Sequence, residues 1–220
     1  MKRYLLFLIV LASIHSHAQD PWKDVYRESA WKQRDSWQRP EEIIRKLNIK
    51  VGDKVADVGC HEGYFTIKLS EKVGTKGTVY AVDISKDKMD KLKNHLDERK
   101  ITNVNVILGE ENNPRLPTLA LDGVLIVDTY HEMDKHQEIL QRIKNALKPG
   151  GRLVLCEPIS AERKNLSRAD QEKKHELGIN YALEDLKKEG YKIIFQQESF
   201  VDRTVEKGDK MWIIVGEKSN

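Results

Sequence analysis

Two kinds of apolar pattern alternate along this chain from residue 40 onward. Short, predominantly apolar runs without strict alternation occupy 54–58, 78–82, 104–108, 123–127 and 152–156. Between them, apolar residues recur three or four positions apart: Ile43, Ile44 and Leu47, then Phe65, Leu69 and Val73 within 63–73. The same spacing returns with Met89, Leu92 and Leu96 within 86–98, and with Ile139, Ile143 and Leu147 within 133–148. Runs of the first kind are what strands covered on both faces look like, and the wider spacing is that of helices with one apolar face. Their alternation predicts a mostly parallel sheet between helical layers. Pro40-Glu41-Glu42 opens the first helix, with acids facing the positive end of its dipole. Pro149-Gly150-Gly151 predicts a sharp stop after the 133–148 helix. The tail differs, with a helix near 181–189 and then runs at 191–200 and 211–215 with no helix between. Those two strands should pair antiparallel.

The first residues do not fit this scheme. Residues 1–18 read MKRYLLFLIVLASIHSHA: a basic start, an apolar run over 4–12, and small residues at Ser16 and Ala18. This is the pattern of a secretory signal peptide cleaved after Ala18, and it predicts an exported, periplasmic or secreted protein. The apolar run is shorter than the roughly 20 residues a membrane span needs, so no stable span is expected after cleavage. Without Lys2 and Arg3, 36 basic residues face 35 acidic ones, a net charge of +1. Near neutrality gives no support for a nucleic-acid surface. Residues 19–40 are polar, with Trp22, Trp31 and Trp37, and precede the alternating region of 41–220.

The densest chemistry lies in VADVGCHEGYFT, residues 55–66. A strand ends at Asp57-Val58-Gly59 and a helix begins at Gly63. The next strand ends at Asp83, where a carboxylate can accept both hydroxyls of a ribose. The dinucleotide fingerprint G-x-G-x-x-G would need glycine at 61 and 64, where His61 and Tyr64 stand, so a nicotinamide cofactor fits poorly. The spacing present, D-x-G-x-x-x-G from Asp57 to Gly63, resembles motif I of class I S-adenosylmethionine-dependent methyltransferases. The resemblance runs from about residue 35 to the end. It includes VYAVDIS (79–85), LKPGGRLVLCEP (147–158) and the closing strand pair.

That resemblance implies a doubly wound seven-stranded α/β sheet of order 3-2-1-4-5-7-6, with the last strand antiparallel and helices on both faces. It implies S-adenosyl-L-methionine as cofactor and a small-molecule methyl acceptor. Asp57 would lie near the methionine amino group, and Gly59 and Gly63 would let backbone approach the cofactor. Asp83 would hold the ribose, Ile84 would pack on adenine, and Glu110, or else Glu111 or Asn112, would reach the adenine amine. Residues 19–40 would form a lid, with Arg34, Trp37 and Gln38 as candidate contacts. His61 replaces the usual middle glycine, so its side chain either leans away from the cofactor or fills part of its site. In this strand order Cys60 and Cys156 end two strands that flank a third. That is about 10 Å apart, too far for a disulfide, so two buried free thiols are expected.

The fourth strand ends in Asp128-Thr129-Tyr130-His131-Glu132. Asp128 joins the cofactor side, and the acceptor is expected beside this end. His131 is the candidate base, with Tyr130 shaping the pocket; the alternative is that His131 and Glu132 merely cap the next helix. His61, His131, Glu132 and Glu157 could converge here, but no local spacing supports a metal site and none is expected. His175 faces either this cleft or solvent. A competing reading is a nucleoside-binding module that keeps the fold without the chemistry. The sequence carries no signal for an oligomeric state.

Overall fold

A computed structural model describes residues 26–219, so the expected signal peptide lies outside the described residues. Helices α1 (Trp31–Gln38) and α2 (Pro40–Arg45) lead into β1 (Lys54–Val58), α3 (Tyr64–Val73), β2 (Thr78–Asp83), α4 (Lys86–Glu98) and β3 (Val104–Leu108). Then follow β4 (Leu121–Val127), α5 (His136–Ala146), β5 (Leu147–Ile159), α6 (Arg168–Glu172), α7 (Ile179–Lys188), β6 (Tyr191–Arg203) and β7 (Asp209–Lys218). The strands form one sheet of order β3-β2-β1-β4-β5-β7-β6. Strands β1 to β5 pair in parallel, and β7 runs antiparallel to both β5 and β6. The expected α/β architecture is the one observed.

Two-sided burial explains the apolar runs of β1, β2, β4 and β5, whereas β3, at the sheet edge, is only partly covered. One face of the sheet, with Val124, Ile126, Leu153, Leu155, Trp212 and Ile214, packs against Ile139, Leu140 and Ile143 of α5 and Leu183 and Leu186 of α7. The other face, with Val55, Leu125, Val154, Ile213 and Val215, packs against Ile43 and Ile44 of α2 and Phe65 and Leu69 of α3. Met89, Leu92 and Leu96 of α4 close over Ala81. Burying a large aliphatic side chain contributes about 1.5–3 kcal/mol, so these two layers supply most of the driving force.

The helix expected over 133–148 is shorter. Tyr130–Glu132 forms a separate 3₁₀ turn, α5 starts at His136, and Leu147 already pairs with Leu121 in the sheet. Pro149-Gly150-Gly151 therefore sits inside the lead-in of β5, where the register shifts and Gly150 takes φ 75°. The closing strands extend past the expected limits, because Arg203 and Asp209 pair across their hairpin. The lid segment contains a helix, α1, that its polar pattern did not announce. Arg39, at φ 54°, separates it from α2. No helix connects β3 to β4. Among the described residues no helix is long and apolar enough to cross a membrane.

Candidate functional site

The carboxyl ends of β1, β2 and β4 open into a cavity of about 910 Å³. This is the crevice that a doubly wound sheet leaves at its switch point, where strands β1 and β4 lead in opposite directions. The turn after β1 is shaped for close approach. Gly59 has φ 79°, and a Cβ there would lie 2.2 Å from Thr129 Cγ2. Gly63 begins α3 at φ 100°, and a Cβ would lie 2.4 Å from Leu92 Cδ1. Only glycine meets both demands.

His61 also takes a left-handed conformation, φ 51°. Glycine would adopt it without strain, which is the physical reason the middle position of such turns favours glycine. The side chain lines the cavity, tilted against the Tyr26 ring at 5.9 Å. Burial, reinforced by Lys88, pushes its pKa down to about 4, so the ring is neutral near pH 7. Its Nδ1 is buried without a hydrogen-bond partner among the described residues. A buried neutral ring atom left unpaired at a cavity wall is what a ligand polar group would satisfy.

Two carboxylates flank this turn. Both Asp83 oxygens accept backbone N–H groups, from His61 at 3.0 Å and Ser85 at 2.9 Å. A carboxylate has about four acceptor sites, so capacity remains for a diol. Asp57 is buried and accepts the Thr66 hydroxyl at 2.6 Å. Burial lifts its pKa to about 7, against the opposing pull of Thr66 and Arg34. Ile84, 62% exposed, stands between this cavity and a shallower one lined by Gly109, Glu110, Glu111 and Asn112. Glu110 is ion-paired with Arg115 at that second depression.

The far wall comes from the end of β4 and the segment after it, braced from behind by β5. Glu157 is fully buried and organises it. One oxygen accepts the N–H of Thr129 at 2.8 Å and of Tyr130 at 3.0 Å, and the other faces His131 Nδ1 at 2.6 Å. Burial disfavours charge on His131, but the Glu157 carboxylate outweighs it and raises the pKa to about 10. His131 thus lines the cavity as an imidazolium held by Glu157, which is not the resting state of the base expected from sequence. Neither it nor Glu132 caps α5, which begins four residues further on from Glu132.

Tyr130 corrects a second expectation. Its side chain is fully buried on the α7 side of the sheet, donates to Asp185 at 2.9 Å and does not line the cavity. Asp128 does line it, at φ 58°. Burial alone would raise the Asp128 pKa, but Arg203 at 2.5 Å and then Lys207 hold it well below the usual carboxylate range.

Of the lid candidates, Arg34 lines the cavity and lies 4.1 Å from the centre of the Tyr64 ring. Trp37 packs in the core, and Gln38 is buried with Nε2 3.2 Å from Met211 sulfur. Sequence reasoning missed Tyr26, whose hydroxyl donates to Asp128 at 2.6 Å, and also Arg203 and Lys207. Each arrives from the chain ends, and no local spacing marks it. His175 both lines the cavity and remains exposed, with Nδ1 3.2 Å from Glu132. Cys60 and Cys156 are free and buried, as the strand order requires.

The fold and site define an open crevice at the carboxyl ends of the strands of a doubly wound sheet. Residues 49–198 match the family model described as a methyltransferase domain, and the chain belongs to that family. It is 32% identical over 117 residues to the demethylmenaquinone methyltransferase of Geobacillus sp. (strain WCH70), covering 53% of this chain and 50% of that one. It is 26% identical over 110 residues to the aklanonic acid methyltransferase DauC of Streptomyces sp. (strain C5), covering 49% of each. The chain thus spans about half the length of the curated relatives it matches. The solved SAM-dependent methyltransferase from Aquifex aeolicus superposes with TM-score 0.70 at 24% identity, over 86% of this chain and 97% of that one. The cyclase SpnF superposes with TM-score 0.71 at 15% identity, over 83% of this chain and 81% of that one. At these identities the two structures show a shared fold.

Proposed function

We propose that this protein is an S-adenosylmethionine-dependent methyltransferase acting on a small-molecule acceptor. The observation that carries the reading is the pairing of Asp57 and Asp83 around the Gly59–Gly63 turn, on one wall of a cavity with room for cofactor and acceptor. Asp57 would meet the methionine ammonium, Asp83 the ribose hydroxyls, and Ile84 the adenine face. Glu110, Glu111 or Asn112 lie within the adjoining depression for the adenine amine. The unpaired Nδ1 of His61 supports a ligand at the turn rather than against it. When bound, the cofactor supplies an electrophilic methyl group on a sulfonium. The chain's part is to hold and orient the two reactants and to exclude water. Asp128 joins Tyr26 and Arg203 at the cavity wall, and His131 stands at the acceptor end. Relatives named for demethylmenaquinone and aklanonic acid support a small organic acceptor.

The pattern of residues 1–18 supports export, which the mass of the chain recovered outside the cytoplasm would test by showing Gln19 at its start. A second reading is a nucleoside-binding module without turnover; the fold alone does not dictate methyl transfer, since the cyclase SpnF shares it. Calorimetric titration with S-adenosylhomocysteine tests the leading one. Binding should weaken at least about tenfold in Asp83→Ala, because a charge-assisted hydrogen bond contributes about 1.5–3 kcal/mol. No binding by the folded wild type would sink the methyltransferase reading. Binding without methyl transfer to any acceptor in a broad screen would leave the second.

A further inference from the structure

We propose that His131, Glu132 and His175 form a divalent transition-metal site on the acceptor wall of the cavity. Their candidate ligand atoms all lie within 4.8 Å of one another. His131 Nε2 is 3.7 Å from Glu132 Oε1, and His175 Nδ1 is 3.2 Å from the same oxygen. Zn–N and Zn–O bonds near 2.0–2.1 Å in a tetrahedron place ligand atoms about 3.3 Å apart, so side-chain adjustment within existing rotamer freedom closes the site. The two imidazole rings are 5.9 Å apart and inclined at 80°, approaching the carboxylate from different directions.

A second, independent observation points to a ligand here. The other ring nitrogen of His131 is 2.6 Å from Glu157, a fully buried carboxylate that also holds the backbone of Thr129 and Tyr130. A ligating histidine characteristically donates its second N–H to such a carboxylate, which fixes the ring and, once the ion displaces the Nε2 proton, aims that nitrogen at the metal. Here that arrangement directs Nε2 toward Glu132 and the cavity. His131 is itself buried, so its ring cannot swing to solvent. Three protein ligands leave coordination positions open to the cavity, as in reactive rather than structural sites.

Two imidazoles and one carboxylate suit zinc, cobalt, nickel or iron better than magnesium or calcium. An ion held here would bind an acceptor through an oxygen or sulfur donor and lower the pKa of a hydroxyl or thiol presented to it. That use rests on the methyltransferase reading, whereas the binding of the ion does not. The site has no local sequence signature, because His175 arrives from the loop before α7 while the other two ligands follow β4.

The full chain titrated with Zn²⁺ should bind one ion. His175→Ala and Glu132→Gln should each weaken it at least about tenfold, while Asp83→Ala leaves it unchanged. Both substituted side chains are largely exposed, so the variants should fold, which circular dichroism checks. With Co²⁺ in place of Zn²⁺, visible d–d absorption should appear in the wild type and be lost in His175→Ala. Absence of a bound ion in the wild type, or equal binding by His175→Ala, overturns the proposal. Zinc binding without S-adenosylhomocysteine binding would uphold the site and remove the methyltransferase reading instead.

Discussion

Asp57 illustrates how much a single side chain depends on its surroundings. In sequence it is an acid at the end of a strand. In the fold it is 3% exposed, and burial lifts its carboxyl from an ordinary 3.8 to about 7. The folded state therefore binds a proton that the unfolded chain releases between about pH 4 and pH 7. Stability from this group falls as pH rises through that window and levels off above it. Asp57→Asn should remove that contribution, which denaturant midpoints for the two proteins across pH 4–8 would reveal. If a ligand ammonium sits against this carboxylate, S-adenosylhomocysteine affinity should rise with pH through about 7 in the wild type and lose that slope in the variant. Identical pH profiles would place the ligand's amino group elsewhere. His61 and Tyr130 make the same point differently. The left-handed backbone of His61 follows from a turn whose glycine spacing is visible in sequence. The direction of Tyr130 does not: beyond Val127 the two-residue alternation of a strand ends, and a 3₁₀ turn held by Glu157 sends the ring to Asp185.

At the level of elements, the β6–β7 hairpin does more than close the sheet. Arg203 near its turn is fully buried and bonds Asp209 at 2.7 and 3.0 Å and Asp128 at 2.5 Å. Through Asp128 it joins the end of β4 to the Tyr26 hydroxyl of the N-terminal segment. Removing one partner of such a network leaves buried charge uncompensated. Arg203→Leu should therefore cost roughly 3–5 kcal/mol in urea unfolding. A loss below about 1 kcal/mol would mean that water or Lys207 readily replaces the guanidinium. The helices were legible from apolar spacing where they cover the sheet, as with α4, whose limits match the expected 86–98. α1 was not legible, because its buried positions include Arg34 and Gln38, which only tertiary partners make tolerable inside.

For the molecule as a whole, strand order decides the fate of the two cysteines. β1 and β5 lie on either side of β4, so Cys60 and Cys156 are held apart whatever the redox conditions. Burial also pushes both thiols well above their ordinary pKa. A thiol reagent should react negligibly with the native protein and with two groups per chain in denaturant, and reductant should leave the melting temperature unchanged. A disulfide found in the folded protein would contradict this sheet. Alternation of apolar runs and helically spaced apolar residues was enough to establish the α/β class, and the Asp57–Gly63 turn with Asp83 one strand further marked one wall of the cavity. Those features are local, written in periods of a few residues and in backbone angles that only certain side chains tolerate. The rest needed the folded chain. Glu157 behind His131, His175 beside Glu132, and Arg203 and Tyr26 around Asp128 come from segments far apart in sequence. Their meeting depends on crossover connections and loop paths that bring distant side chains within hydrogen-bonding distance, and no local pattern encodes that distance.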